Sequence, residues 1–248
     1  AGYEVVDAAN ATVEFGFHVL YTEGAAGSDT GRILLDRFSL YSRGVDRAVV
    51  QERPAVSVGL DGVAGTADDA AAHEVSANGR DAAVAVLHDG ELVVTWIEGG
   101  ALKARIYRPT TDSDTTRYAS LTQPAGGAGQ PDPGITVATL GIGATATQQV
   151  LALGFDFLVA YQDGAGGPVK LTMFTGAAGT WTPTALGEFA LPPGATGEFR
   201  IAPTAEDDLG TGFALFFEVS AGGRTGIQGQ VFDHDGLRLH ETPFTVQD

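Results

Sequence analysis

An acidic, glycine-rich stretch at residues 60–70 has the residue types of a cation site. Asp61, Asp68 and Asp69 supply three carboxylates, and the intervening glycines leave backbone carbonyl groups accessible. Glu74 follows closely enough to join them. Calcium takes about six to eight oxygen ligands from carboxylates and from the carbonyls of a flexible loop. The stretch therefore predicts a calcium site formed by these four acids, with Ca²⁺ as the cofactor.

The same stretch also has a purely structural interpretation. Its acids do not alternate as they do in an EF-hand, and Asp and Gly are common in turns. An ordinary surface loop is the alternative. Two other acidic groups favour turns or loops over ligands: residues 233–236, DHDG, because Asp-Gly supplies a positive φ, and residues 206–208, just before Leu209-Gly210.

No pattern of catalytic residues is visible. The chain has no Cys and no G-x-S-x-G motif, and no two of its five His have zinc-ligand spacing on one face. Two facing carboxylates of a glycosidase could be brought together only by the tertiary structure. Trp181, between two loop-like segments, is a candidate for stacking on a sugar, whereas Trp96 has the setting of a core residue. The residues favour a protein without catalytic activity, and no catalytic residue is predicted.

Composition and charge restrict the possible partners. The net charge is −17 in 248 residues, so nucleic acid and anionic membrane surfaces would repel the chain. No run of about 18 apolar residues exists, so no membrane span is expected. The absence of Cys is typical of bacterial secreted proteins, and we expect secretion. The 35 Gly and 11 Pro predict many short strands joined by turns.

The candidate residues would be positioned by β-strands, because one strand pattern recurs four times along the chain. In each copy an apolar run ends in an aromatic residue, and in the first three an acid and a Gly follow. Such runs predict strands that are buried on both faces. The four copies are FHVLYTEG (17–24), LVVTWIEG (92–99), FLVAYQDG (157–164) and FALFFEVS (213–220).

A second strand follows each copy, and the two are expected to form a hairpin. In LKARIY, the apolar residues Leu102, Ala104 and Ile106 alternate with others, Arg105 among them. This alternation predicts a strand with one face in the core and the other in solvent. The second strands also end in aromatic residues: Phe38, Tyr107, Phe174 and Phe232.

The repeats predict an all-β, β-propeller-like domain of four antiparallel four-stranded units. One such sheet cannot cover both of its faces, whereas stacked neighbours can. Tandem β-sandwich modules are the alternative. The expected single domain spans 1–248, with units 1–55, 75–123, 135–192 and 198–248 and a loop insertion at 56–74.

The repeated motif also resembles a known group of sequences. Four apolar residues between a Gly and Trp or Tyr, then an acid and Gly, resemble repeats of large secreted bacterial proteins, which often carry repeats-in-toxin calcium motifs. The match is best at 90–107 and at 212–246. The element LDGVAGTADDA (60–70) is similar to one in secreted bacterial proteins that include large haem peroxidases. The resemblance implies a propeller-like domain of a long extracellular protein, and a peroxidase as one candidate parent.

These observations together favour a non-catalytic scaffold, adhesion or interaction module of a secreted bacterial multidomain protein. The alternatives are a carbohydrate-binding or carbohydrate-active propeller, and an accessory domain of a calcium-dependent secreted enzyme such as a haem peroxidase. The expected partners are other domains of a parent protein, or an extracellular protein or glycan.

Overall fold

The regular structure of the chain consists of β-strands. A computed structural model describes residues 2–7, 12–24, 30–43, 50–53, 73–88, 90–109, 118–122, 134–141, 147–164, 166–177, 180–207, 210–221 and 223–247. Within these residues seventeen strands form and every pairing between them is antiparallel, which confirms the all-β prediction.

The seventeen strands are numbered in chain order. The first four are β1 (Gly2–Asp7), β2 (Thr12–Glu23), β3 (Gly31–Arg43) and β4 (Val50–Arg53). The next five are β5 (His73–Val86), β6 (Leu92–Glu98), β7 (Ala101–Pro109), β8 (Tyr118–Ser120) and β9 (Ile135–Thr139). Then come β10 (Thr147–Leu153), β11 (Asp156–Gln162), β12 (Val169–Ala177) and β13 (Thr180–Phe189). The last are β14 (Ala195–Asp207), β15 (Gly210–Ala221), β16 (Arg224–Phe232) and β17 (Phe244–Gln247).

These strands form three sheets. The first has nine strands in the order β1-β2-β3-β5-β6-β7-β8, with β4 on β3 and β9 on β7. The middle sheet, β10-β11-β12-β13, and the last sheet, β14-β15-β16-β17, each have four strands in chain order. Four separate sheets were expected from the repeats, and the first two are instead joined.

Strand β5 joins them because it is long enough to pair twice. Its first half pairs with β3 and its second half with β6, and the register shifts between Arg80 and Ala83. Asp81 has a φ of 49° at this bend. Gly79, just before it, is buried, and a Cβ there would clash with the Ile33 side chain. A larger residue at position 79 would therefore have to displace the Ile33 side chain.

Several strand assignments differ from the sequence expectations. The first strand of the chain is β1, and residues 12–16, just ahead of the first repeated segment, belong to β2. Trp181 lies in β13 and not between loops, because 180–189 pairs with β12. His73 and Glu74 belong to β5, and the rest of the predicted insertion, 56–72, lies outside the described residues.

The two aromatic residues of a hairpin meet across the strands. Phe157 at the start of β11 lies opposite Phe174 of β12, and their rings stack with centroids 4.6 Å apart. Phe213 of β15 and Phe232 of β16 repeat this arrangement at 4.9 Å. The stacked partner is the first residue of each repeated segment, and the terminal aromatics Tyr161 and Phe217 lie opposite Lys170 and Gln228 instead.

Successive sheets pack face to face in one constant orientation. We call the face with the starting residue of each repeated segment the aromatic face, and the opposite one the aliphatic face. The aromatic face of the last sheet packs on the aliphatic face of the middle sheet, as Phe213, Leu215 and Phe217 meet Leu158 and Ala160.

The middle sheet repeats this contact one step earlier. Its aromatic face, with Phe157 and Val159, packs on the aliphatic face of β6, with Val93 and Ile97. The aromatic face of β6, which carries Trp96, packs in turn against the β3 side chains Ile33 and Leu35 and against Leu20 of β2. The repeated segments are therefore buried on both faces in β6 and β11, which confirms the prediction made from their apolar runs.

Strand β7 departs from the expected half-burial. Leu102, Ala104 and Ile106 are fully buried on one face, as the alternation predicts. Arg105, expected in solvent, is only 8% exposed on the other face. The expectation fails because that face continues the aromatic face of β6 and lies against Val75 of β5, so the guanidinium lies inside the fold.

Candidate functional site

The most polar interior cluster of the described residues lies where β6 turns into β7. The Glu98 carboxylate accepts hydrogen bonds from Lys103 Nζ at 2.7 Å, from Ser76 Oγ at 3.0 Å and from Trp96 Nε1 at 3.3 Å. The Glu98 and Lys103 side chains are each about a quarter exposed. The acid of the repeated motif is therefore held by the tryptophan that precedes it and by the next strand.

These partners set the charge state of Glu98. Burial by itself raises the pKa of a carboxyl group, but the hydrogen bonds from Lys103, Ser76 and Trp96 outweigh it, so the pKa of Glu98 is lowered from 4.5. An ionised carboxylate that is satisfied by three donors is a poor general acid or base at neutral pH. The cluster closes the hairpin and is not arranged for proton transfer.

Arg105 lies beneath this cluster. Its guanidinium stands 5.1 Å from the centre of the Trp96 ring and 5.9 Å from that of Tyr107. Nη1 donates to the carbonyl of Val75 at 2.7 Å and to the Tyr107 hydroxyl at 3.0 Å. Arg105 thus joins β5 and β7 and contacts two aromatic rings, as arginine does where its planar group is enclosed.

Two consecutive glutamines of β10 join the middle sheet to both of its neighbours. Gln148 accepts from Thr95 Oγ1 at 2.7 Å and donates to the carbonyl of Asp81 at the bend of β5. Gln149, pointing the other way, donates to the carbonyl of Phe199 at 3.2 Å and accepts from the amide of Ile201 at 3.1 Å. Successive strand residues face opposite sides, so this pair links β10 to β5 and β6 of the first sheet and to β14 of the last sheet.

A row of turn residues crosses the same three sheets at one end. His88, after β5, packs edge-on against Phe155 in the β10–β11 turn, with ring centroids 5.0 Å apart. His234, after β16, lies with Nε2 3.6 Å from the Asp156 carboxylate. We call His88, Phe155, Asp156 and His234 the turn row.

The turn row includes one exposed apolar side chain, and two more follow His234 in the chain. Phe155 is 58% exposed, and Leu237 and Leu239, after the last turn, are 66% and 50% exposed. Large apolar groups that are exposed beside charged ones are typical of surfaces that bind other molecules. This end of the sheets is the best candidate for a binding surface.

The predicted calcium ligands fall mostly outside the part of the chain that the structure describes. Asp61, Asp68 and Asp69 lie there, so their mutual geometry stays a prediction. Glu74 is described, and its exposed carboxylate accepts from Arg32 Nε at 2.8 Å. Arg32 also bonds Glu23 at 3.0 Å, and these two acids, Glu74 first, raise its pKa. Calcium at Glu74 would have to compete with this guanidinium.

The turn at 233–236 agrees with its structural interpretation, whereas Glu206 and Asp207, expected in a turn or loop, belong to the end of β14. Residues 233–236 form a turn in which Gly236 has a φ of 80° and the amide of Leu237 donates to Asp233 Oδ1 at 2.8 Å. Asp207 pairs with Gly210 in the hairpin between β14 and β15. Among the described residues, no group of three or more His, Cys, Asp or Glu side chains could hold a metal ion.

The two tryptophans both belong to the core clusters. Trp96 is 1% exposed, which confirms its predicted core position. Trp181, the candidate for stacking on a sugar, packs against Phe157 with centroids 5.4 Å apart and is half-buried. Because its ring contacts the middle sheet, Trp181 is less accessible than a tryptophan in a loop would be.

The glutamine bridges were missed in the sequence. The sequence patterns assigned no role to Gln148 and Gln149, although two adjacent amides in an apolar strand are a signal. A buried amide needs partners, and adjacent strand positions face opposite sheets. Together these facts could have indicated a strand that lies between two neighbouring sheets.

Comparisons with known proteins give limited information. No protein-family model matches the chain, and no curated protein matches it. Among solved structures, the chain is similar to the crystal structure of an alpha-L-arabinofuranosidase from Lactobacillus brevis, with 14% sequence identity and a TM-score of 0.40. The match covers 95% of this chain and 74% of that one. Within the described residues, no helix is long and apolar enough to cross a membrane.

Proposed function

We propose that the chain is a non-catalytic scaffold and interaction module, built from four four-stranded units that stack in chain order as in a propeller. The observation that carries this proposal is the covering of the middle sheet on both faces, by β6 and β7 on one side and by the last sheet on the other. In tandem β-sandwiches each sheet packs on one partner sheet, so no sheet lies between two others. The observation therefore favours a continuous stack over tandem sandwiches.

The first strands of successive units support the propeller-like arrangement. Gln148 and Gln149 of β10 reach β5 on one side and β14 on the other, so the leading strands of three units are neighbours. In a propeller the first strand of each blade lies near the central axis. A rigid stack of this kind holds the turns at its ends in fixed positions.

The turn row supplies the binding surface of the proposed module. Its exposed Phe155 provides the apolar centre, and His88, Asp156 and His234 provide a polar border. We propose another domain of a secreted bacterial parent protein as the partner. An extracellular protein or a glycan is the alternative.

Binding and turnover assays test this proposal. We expect the isolated chain to bind the remaining domains of its parent, and Phe155→Ser to weaken that binding about tenfold or more. Thr182→Ser, at an exposed position of β13, is the matched control and should bind as the unaltered chain does. Saturable turnover of a glycoside or a peroxidase substrate would overturn the proposal, and specific retention on a glycan array would favour the carbohydrate-binding alternative.

Calcium is a separate part of the proposal and rests on the three carboxylates of 61–69. A ligand that binds only the native state stabilises it by about 2.7 kcal/mol at a hundredfold excess over its dissociation constant. We expect millimolar calcium to raise the unfolding midpoint relative to chelator, and Asp68→Asn to abolish this rise. Glu74→Gln should reduce it less, because Arg32 already holds that carboxylate. If the unfolding midpoint did not change in chelator, residues 61–69 would be interpreted as an ordinary loop.

A further inference from the structure

The outer edge of the middle sheet is formed by β13, and solvent reaches this strand from both sides. Within the described residues, β13 pairs with β12 alone. Four consecutive residues of the strand are exposed: Thr182, Pro183, Thr184 and Ala185. Because successive side chains of a strand point to opposite faces, this run exposes both faces of β13. The edge is therefore accessible to another strand.

The residue types of this edge favour pairing with a further strand. Residues 180–186, TWTPTAL, contain three Thr and one Trp and carry no charge. Thr and Trp are enriched in strands, and uncharged segments of about six or seven residues with high β-propensity pair readily with copies of themselves. The net charge of the chain is −17, but none of that charge lies within this segment. Charge therefore does not keep two copies of the segment apart once they are in contact.

Pro183 lies at the centre of the exposed stretch. Its partner on β12 is Phe174, and the register is regular from 180 to 185. Proline has no N–H, so it fits a ladder only where its nitrogen points away from the paired strand. Inward and outward positions alternate along an antiparallel strand. The peptide groups of Pro183, and those of Trp181 and Ala185 on either side of it, therefore face outward.

Other features that keep an edge from pairing lie only at one end of β13. The register shifts between Ala185 and Gly187, where Gly187 has a φ of 112°, and Glu188 follows with an exposed carboxylate. Bulges, charges and prolines are the means by which natural sheets avoid edge-to-edge pairing. Over residues 180–185, where the strand is regular and uncharged, Pro183 is the residue of this kind.

We propose that Pro183 blocks a latent interface, in which β13 would pair edge to edge with β13 of a second copy of the chain. Two antiparallel copies related by a two-fold axis place the same residues opposite each other. In the register centred on position 183 the two prolines face each other, so the central pair of hydrogen bonds cannot form and the two rings crowd the contact. This contact does not involve the turn row, so the proposed function and the role of Pro183 can each fail without the other.

Substitutions at position 183 test this role. Pro183→Thr restores the N–H and keeps the segment uncharged. In sedimentation velocity we expect this variant to form dimers at concentrations about tenfold or more below those at which the unaltered chain associates, because the central hydrogen bonds can form. Pro183→Val, which is also uncharged and β-branched, repeats the test if Pro183→Thr does not fold.

Two matched variants serve as controls. Pro183→Lys restores the same N–H but adds a charge that the symmetric contact would bring against its own copy, so it should sediment as the unaltered chain does. Pro193→Thr removes an exposed proline from the turn before β14 and should also leave the sedimentation unchanged.

Hydrogen exchange locates the contact on the strand. In the unaltered chain, the outward amides of Trp181 and Ala185 should exchange about tenfold or more faster than the amides of Thr182 and Thr184, which bond to β12. In Pro183→Thr, the amides of Trp181 and Ala185 should become protected as the protein concentration rises. In Pro183→Lys they should remain unprotected.

The proposal would be overturned if Pro183→Thr and Pro183→Val sedimented as the unaltered chain does at every concentration. Equal association of Pro183→Thr and Pro183→Lys would also overturn it, because the contact would then not depend on an uncharged edge. Equal protection of the outward and inward amides in the unaltered chain would show that the edge is already paired, and would have the same consequence.

Discussion

Strands β11 and β15 have almost the same pattern and very different surroundings. In both strands the repeated segment begins with a phenylalanine that stacks on the last aromatic residue of the next strand. The ring centroids are 4.6 Å apart in the middle sheet and 4.9 Å apart in the last sheet. Both have three consecutive residues at 0% to 6% exposure at their start, from Phe157 and from Phe213. Further along, Ala160 is fully buried while Phe216, its counterpart, is half-buried.

The difference lies in what covers each sheet. The middle sheet stands between β6–β7 and the last sheet, so both faces of β11 exclude water. In the last sheet, Phe213, Leu215 and Phe217 of the aromatic face are buried, whereas Phe216 and Val231 of the opposite face are only half-buried. A repeated strand pattern thus predicts the hairpin and its aromatic pair, but the burial of the opposite face depends on the neighbouring sheet.

The largest expected effect compares a phenylalanine between two sheets with an exposed one in the last sheet. Phe174→Ala removes a fully buried ring stacked on Phe157 and should cost about 3–5 kcal/mol of unfolding free energy. Phe244→Ala, at a ring 40% exposed, should cost less than about 1.5 kcal/mol. Urea unfolding measures both. Equal costs would show that the two faces are covered alike.

A smaller effect tests the bridge between the middle and last sheets. Gln149→Ala leaves the amide of Ile201 without its acceptor, at a cost of about 1–3 kcal/mol. Hydrogen exchange of that amide should become about tenfold faster or more. Gln148→Ala, the adjacent residue on the other face, is the matched control, because its partners are Thr95 and Asp81. If both variants accelerated exchange at Ile201 equally, the two bridges would not be separate.

The smallest expected effect concerns the hairpin in the first sheet and its pH dependence. The pKa of Glu98 lies below 4.5 in the folded chain, so its charged form stabilises the fold above that pH. This contribution is lost as the pH falls through the lowered pKa, and partial exposure limits it to less than about 1 kcal/mol.

Glu98→Gln should flatten the acid limb of the stability profile below about pH 5. Lys103→Met should do the same in part, because it removes one of the three donors. Thermal unfolding at a series of pH values measures the slopes. An unchanged slope in Glu98→Gln would mean that the carboxylate contributes nothing to the acid sensitivity.

The local features of the fold were predictable because they depend on neighbours in the chain. The aromatic ends of the repeated segments predicted hairpins, and the DHDG turn followed from the positive φ that Asp-Gly allows. The joining of the first two sheets was not predictable from the pattern. It depends on the length of β5 and on its bend at Asp81, which let one strand pair with two partners.

The candidate site was less predictable than the fold. Sequence reasoning selected carboxylates by their proximity along the chain, whereas the described contacts join residues from different units, such as Asp156 with His234. Trp181 shows the same limitation, because its strand and its contact with Phe157 are set by pairing with β12. Spacing in the sequence carries no information about which units lie side by side.

By itself the sequence determined an all-β chain of repeated hairpins, because alternation and turn chemistry act over a few residues. Only the tertiary structure decided which face of each sheet is covered, since burial depends on another sheet and not on the strand. It also decided that Arg105 lies inside and that Phe216 of the last sheet is only half-buried. Each unit carries the same apolar pattern, and position in the stack determines how much of it meets water.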